Sequence, residues 1–494
     1  MSSVLRIFRK DVRQLWLGIV GVVAIEFAAH WAQAAPTLGM ARAQGGLGIG
    51  TLAQWFLIAS VIHGEALVGD RQYWLTRPFS WKTLLAAKLL FVLVFIHLPT
   101  LAGDVSALIL RGQSPGAHWL GLATAQFFTL EQVVGCAALA SITASLVQLV
   151  WTSLAASLGY AAIGLMFSVR VGGNVSWGGL EWIHAAAIAV FIILGAVAIL
   201  AVQYAARNTA LSRWILMAGV SALILLMWMP GWHAAFALQT WLDGRRVPDS
   251  VARMGQDSPR GVEVDPLPHS QWGLRGPQPA VEFPIRITGV PPGMGVQSDR
   301  VAATAETANG RTRVSGWDPI NRLSQVIGDE KTTREERLLP GDDTWLYLNV
   351  DPYSAGAERT LHASIALTLL SAEEITPLQA GGGPTRVPQG GLCWVMGTGN
   401  LSILCSWPAP TPGYAVIRIS AMGMPTGFEM PLLSERLFGD LSYGPCSNTG
   451  GLWQIVTGNV VVSAEPSEIL LVTRRAVAHF EREIEIHPGG RQLP

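Results

Sequence analysis

Seven long apolar runs crowd the first half of this 494-residue chain, at about 14–34, 50–67, 84–104, 122–145, 148–169, 183–204 and 213–232. Each approaches the roughly 20 residues that a helix needs to cross the hydrocarbon core of a bilayer. Nothing constrains the fold more. A backbone inside hydrocarbon must satisfy its own N–H and C=O groups, and a single segment does that only as a helix. The stretch 122–169 is nearly uninterrupted, and as one helix it would be more than twice as long as a bilayer is thick, so a break is expected near SLVQLVW (145–151). Only 14% of residues are charged, against about a quarter in soluble domains. The first half therefore reads as an α-helical polytopic membrane domain of about seven helices.

The overall charge is zero, but residues 1–232 hold 13 Lys+Arg against 7 Asp+Glu, and residues 233–494 hold 21 against 27. Opposite charge and different texture point to two domains in different places. If the spans alternate, one side collects Arg6, Arg9, Lys10, Arg13, Arg71, Arg77, Lys82, Lys88, Arg207 and Arg213, and the other only Arg42, Arg111 and Arg170. That bias puts the N-terminus in the cytoplasm, and seven crossings put the C-terminal half outside. The expected location is the cell inner (cytoplasmic) membrane.

The opening SVLRIFRKDVRQLW sets Val4, Leu5, Phe8, Val12, Leu15 and Trp16 at helical spacing, with Arg6, Arg9, Lys10 and Arg13 on the other face. An amphipathic basic helix of this kind is expected to lie in the headgroup plane before the chain turns into the bilayer. Basic residues, an apolar run and AQAAP also resemble a cleavable signal peptide. Glu26 and His30 inside the run favour an uncleaved span.

Beyond Trp232 the texture changes. Residues 233–280 read as a linker, rich in Pro, Gly and charge from 244 onward. Residues 281–494 carry strand-length runs between turn signals, among them VEFPIRITGV, TWLYLNV, LHASIALTLL, GLCWVMG, LSILCSW, YAVIRISAM and EILLVTRRAVAHFEREIEI. They suggest an all-β, sandwich-like soluble domain, single or double. Cys393 and Cys405 flank WVMGTGNLSIL. With TGN as a three-residue hairpin loop they face each other, so an oxidising compartment can bridge them. Reduced buried thiols are the other reading, and Cys446 can stand alone or replace either partner.

The chain has no P-loop, no H-E-x-x-H, no C-x-x-C and no G-x-S-x-G, and its five C-terminal histidines (233, 269, 362, 479, 487) lack metal-ligand spacing. GDD at 341–343 reads as an acidic turn. No catalysis, metal site or cofactor is expected in this chain, and the acidic C-terminal half argues against nucleic acid. Polar residues inside the spans are costly in hydrocarbon. Glu65 and Asp104 fall near span ends, where a charge is cheap. Glu26 and Glu131 lie deeper and are the candidates for an intramembrane polar path.

The tract VGDRQYWLTRPFSWKTLLAAKLL (68–90) interrupts two apolar runs with rigid aromatics and arginines, residue types that anchor protein contacts. Arg77-Pro78 breaks helical geometry, and Ser80 is placed to cap the next helix. GDRQYWLTRPFSWKTLLAAKLL resembles the first cytoplasmic loop of ABC-2-type transporter permeases, and the order of elements over residues 1–230 resembles that family too. The resemblance implies the membrane (permease) subunit of an ABC transporter. Asp70, Arg71, Tyr73, Trp74, Arg77 and Pro78 would dock on a separate ABC ATPase subunit that binds ATP and Mg. A second permease copy or a homologous permease would complete the assembly in the lipid bilayer. LRIFRKDVRQLW resembles that family's interfacial connecting helix. Seven spans and an outer β domain depart from the usual six-span permease. The alternative is a membrane-anchored extracytoplasmic binding or sensory protein.

Overall fold

The computed structural model of the chain describes residues 3–34, 40–64, 80–155, 158–159, 181–228, 232–256, 262–264, 280–307, 310–318, 322–325, 344–349, 360–397, 400–408, 414–421, 428–433, 453–461 and 466–487. Among the described residues the apolar half holds α1 (Ser3–Ala34), α2 (Met40–His63), α3 (Trp81–Leu110), α4 (Trp119–Ile142), α5 (Leu146–Ala155), α6 (Glu181–Ala205) and α7 (Thr209–Trp228). Four of the described helices are long and apolar enough to cross a membrane, those at Ser3–Ala32, Trp81–Leu110, Pro115–Ile142 and Ala185–Ala205. Described apolar segments within α2, α5 and α7 are shorter than a span.

Local chemistry explains the helix boundaries. Ser80 accepts from the Thr83 amide at 3.2 Å and starts α3, as its position after Pro78 led us to expect. The long run at 122–169 breaks where extended Thr143 ends α4. Ser145 Oγ then accepts from the Gln148 amide at 3.2 Å, while Gln148 Oε1 accepts from the Ala144 amide at 2.7 Å. That reciprocal pair is close to a capping box, and it satisfies two donors that the break would otherwise leave bare. Pro99 has no N–H to give and crowds the preceding turn. The helix absorbs it as a π turn at Leu93–His97, where the Leu98 amide reaches back to Leu93 O.

The opening segment differs from its expectation. No bend separates an interfacial helix from a span, because Ser3–Ala34 is one continuous helix. Val4, Phe8, Val12 and Leu15 pack with buried Ile7 against the helical core instead of lying on lipid headgroups. Arg6, Arg9, Lys10 and Arg13 occupy the exposed face.

Part of the expected linker is also ordered. A helix α8 (Trp232–Asp243) buries Ala235 and Phe236 against Ile183 and Ala366, a contact that its apolar spacing permits. Beyond it, β1 (Arg253–Gln256) and β2 (Val262–Val264) both pair with β3 (Ala280–Thr288).

The remaining strands are β4 (Gly295–Thr307), β5 (Gly310–Asp318), β6 (Arg322–Gln325), β7 (Thr344–Asn349), β8 (Leu361–Leu370), β9 (Glu374–Leu378), β10 (Thr385–Val387), β11 (Gly391–Met396), β12 (Asn400–Pro408), β13 (Tyr414–Ala421), β14 (Phe428–Leu433), β15 (Trp453–Val461), β16 (Pro466–Arg474) and β17 (Ala476–Ile486). Among the described residues the strands form four antiparallel sheets. The sheet β1-β3-β7-β6 and the sheet β17-β8-β4-β5 share a core built on Phe283, Ile285, Leu346, Ile365, Leu367 and Phe480. The sheets β14-β13-β16-β9 and β10-β11-β12-β15 share a second core around Trp407, Ile403, Ile417 and Leu471.

β8 and β17 are neighbours in one sheet, so everything between Ser371 and Arg475 is inserted between two paired strands. Buried Arg474 closes the base of this insertion. Its guanidinium donates to Ser371 O at 2.9 Å, Gly293 O at 3.3 Å and Glu373 Oε1 at 2.9 Å. Inside the insertion Cys393 pairs with Cys405 across β11 and β12, and the two are joined as a disulfide. Cys446 and residues 341–343 lie outside the described residues.

A bulge between Ser298 and Arg300 sets Asp299 into the first β unit. There Thr368 Oγ1 donates to its carboxylate at 2.6 Å. Burial pushes the Asp299 carboxyl up to about 6, against the opposing pull of His479, the Thr368 hydroxyl and Arg300. Its value in the unfolded chain is near 3.8, so the folded state holds more protons between those two values. The contribution of this group to stability is therefore greatest in acid and is lost as pH rises through about 4 to 6. Thermal melts of wild type and Asp299→Asn across that range will differ most at neutral pH. The variant gains up to about 3 kcal/mol there, roughly two pH units at about 1.4 kcal/mol each. A wild-type minus variant difference that stays flat with pH would contradict this account.

Candidate functional site

α1 and α3 run parallel, in contact along most of their length. Near one end, Lys88 Nζ of α3 meets Asp11 Oδ2 of α1 at 2.7 Å, both side chains about 95% buried. Next to that pair, Phe8 stacks on Phe95 at 5.7 Å between ring centroids and meets Phe91 edge-on at 6.4 Å. Offset and edge-on arrangements are the ones aromatic quadrupoles favour. Beyond the π turn, Thr100 donates to Ile96 O at 2.9 Å and accepts from Gln54 of α2 at 3.2 Å. The proline-disturbed turn is thus tied to a second helix.

Toward the other end lies a second polar group. The His30 ring sits between Asp104 Oδ1, 3.1 Å from Nδ1, and Glu26 Oε2, 3.6 Å from Nε2. All three residues are buried, with at most 6% of their surface exposed. Two glycines make the room. Gly103 of α3 lies so close under the His30 ring that a Cβ there would collide with it, and a Cβ on Gly50 of α2 would fall 2.6 Å from Glu26 Oε1. At 1.5 Å per residue, the 16 residues from Lys88 to Asp104 set the two polar groups roughly 24 Å apart along α3. That is most of the thickness of a bilayer core.

α3 ends at Leu110, and the next residue, buried Arg111, donates from Nη1 to Ser406 Oγ of β12 at 3.0 Å. The following Gly112 turns at a φ of +72° with the Arg386 guanidinium against it. The inserted β unit is therefore hydrogen-bonded to the residue that ends α3. The first β unit is held elsewhere, through α8. Asp243 accepts from both the backbone N–H of His479, at 3.0 Å, and its ring Nδ1, at 2.7 Å, and His233 meets Glu481 at 2.8 Å.

Several expected site residues are relocated by this arrangement. Glu26 is deep and buried as expected, but its neighbour is His30, not Glu131. Glu131 is half-buried on α4 and has no hydrogen bond or ion pair among the described residues, so the expected Glu26–Glu131 path is not assembled. Asp104 is not a cheap charge at a span end, because burial beside His30 removes it from headgroup and water. Lys88 is not a free loop charge either, being neutralised by Asp11 inside α3. The tract residues Asp70, Arg71, Tyr73, Trp74, Arg77 and Pro78 lie outside the described residues. One sequence signal could have revealed the buried pairs. Asp11 and His30 are spaced along α1 much as Lys88 and Asp104 are along α3, in the same order, as parallel helices with complementary partners require. No known protein family, curated protein or solved structure matches the chain.

The Asp11–Lys88 pair gives a direct test. Lys88→Met removes a buried cation from beside the Asp11 carboxylate, and breaking a buried ion pair in this way costs about 3–5 kcal/mol. We expect a markedly lower melting temperature in detergent, and recovery of most of the loss in Asp11→Leu/Lys88→Met. Equal melting temperatures for wild type and Lys88→Met would remove the pair from the account of stability.

Proposed function

We propose that this chain is the membrane subunit of an ABC-2-like transporter, in which a separate ATPase, binding ATP and Mg, drives movement of a substrate. In this reading the chain crosses the inner membrane seven times with its N-terminus in the cytoplasm. It presents two β-sandwiches outside, and pairs with a second copy or a homologous permease. Asp70, Arg71, Tyr73, Trp74, Arg77 and Pro78 contact the ATPase.

One observation carries the reading. The resembling tract runs straight into α3, α3 is fixed to α1 by Asp11–Lys88, and the residue after its far end is hydrogen-bonded to the inserted β unit through Arg111 and Ser406. A push at the tract is thereby delivered along one rod to the β half. The tract itself would act through Trp74 and Arg77, since Trp and Arg dominate protein contacts and each is commonly worth 2 kcal/mol or more, roughly 30-fold in affinity. The Cys393–Cys405 bridge fits an oxidising compartment for the β half.

Tagged protein drawn from native membranes in mild detergent should bring down a P-loop ATPase. The Trp74→Ala/Arg77→Ala variant should lose it by at least about 30-fold, while Arg111→Ala retains it and lowers its coupled turnover. A folded wild-type protein that retains no ATPase would favour the alternative, an anchored binding or sensory protein whose β half does the work.

A further inference from the structure

We propose that α8 is an interfacial helix seated on the bilayer surface, with lipid covering the face that it turns away from the β half. The proposal goes beyond the transporter reading and does not depend on it.

One face of α8 buries Ala235 and Phe236 against Ile183 and Ala366. The polar residues of the helix are engaged within the protein. His233 meets Glu481, and Asp243 accepts from His479. Gln239 donates to Asp243 at 2.7 Å, and Thr240 donates to Phe236 O at 2.9 Å. The opposite face is Ala234, Ala237, Leu238, Trp241 and Leu242, which follow one another at helical spacing and are all exposed. Trp241 is 74% exposed, Leu242 48% and Leu238 41%. A helix on the surface of a globular unit turns charged and polar residues to water, and one that is apolar all round is covered on both sides.

The position of α8 in the fold indicates what covers it. Ile183, packed on its buried face, lies just before Ala185, where the apolar span Ala185–Ala205 begins, about 3 Å along the helix axis. Apolar α7 ends at Trp228, and α8 starts at Trp232. α8 therefore sits where hydrocarbon gives way to headgroups. Its exposed Trp and Leu, with Arg245 and Arg246 exposed just after its end, are the residue types that bind at that boundary. The indole suits the headgroup level, and arginines suit anionic phosphates.

A second copy of the chain fits the face less well. The 12 residues of α8 make a helix roughly 18 Å long, so one face about 10 Å wide offers roughly 200 Å². A stable protein interface buries about 800 Å² on each partner. A bilayer sets no such minimum, because α6 already holds the helix at that level. With lipid on one face and β17 on the other, α8 fastens the first β unit to the membrane surface.

The test uses the full chain in nanodiscs of mixed phosphatidylcholine and phosphatidylglycerol. An environment-sensitive NBD fluorophore is attached at Leu238→Cys, in a background of Cys136→Ala and Cys446→Ser that keeps the Cys393–Cys405 bridge. Bromine on the upper acyl carbons of the lipid quenches on contact. It should cut the emission at least about twofold relative to unbrominated nanodiscs, since an interfacial helix buries its apolar face roughly 5–10 Å into the headgroup–acyl boundary. Trp241→Cys with the same label should respond alike, which keeps the test decisive if Leu238→Cys fails to fold. Emission as in water that bromine leaves unchanged would overturn the proposal. So would a blue-shifted emission that bromine leaves unchanged, because protein, a second copy included, would then be covering this face.

Discussion

Asp11 with Lys88 and His30 with Asp104 are buried in the helical half as facing sets, and the parallel pairing of α1 with α3 is what makes that possible. Taken singly, Asp11, Lys88, His30 or Asp104 would be an expensive intrusion into an apolar helix. Set face to face they become specific contacts, because any other register of the two helices would leave charges without partners. The aromatic cluster of Phe8, Phe91 and Phe95 fills the space beside the first pair, and the two glycines admit the second. The π turn before Pro99 belongs to the same solution. By adding a residue to one turn it relieves the proline and turns Thr100, Gly103 and Asp104 toward α1 and α2.

The β half depends on this helical frame at two separate places. α8 grips the first unit through Asp243 and His479, while the residue after α3 grips the inserted unit through Arg111 and Ser406. The inserted unit enters and leaves through adjacent strands, with Arg474 on the leaving side bonded to Ser371 and Glu373 on the entering side. A two-strand connection braced by one buried guanidinium leaves the unit's orientation to its own contacts, of which the hydrogen bond to Arg111 is one. Displacement of α3 along its axis would therefore bear on the inserted unit before it bears on the first.

Much of the fold was legible along the chain, and the failures are instructive. LHASIALTLL and the strands around Cys393 and Cys405 could be read directly, since period-two apolar patterns and a short loop set their register. β4 escaped notice because Ser298, Asp299 and Arg300 interrupt it, and only the bulge and the Thr368 partner make that interruption tolerable. α8 was lost among the residues assigned to a linker because only Ala235 and Phe236 of its apolar residues are fully buried, and the surface that covers them comes from Ile183 and Ala366, far away in sequence. The basic opening helix was read as interfacial for a similar reason. Its apolar stripe suits either headgroups or a neighbouring helix, and no local feature distinguishes the two.

What the sequence determined by itself is whatever depends on near neighbours. Apolar length set the helices, Ser80 and the Ser145–Gln148 pair set where two of them begin, Pro99 demanded an adjustment, and alternation set many strands. Only the tertiary structure decided which polar residues share an environment. His30 and Asp104 are 74 positions apart, and Arg111 and Ser406 almost 300. The energy of burying a charge depends on what faces it across a helix interface, and that is a property of packing that no local pattern encodes.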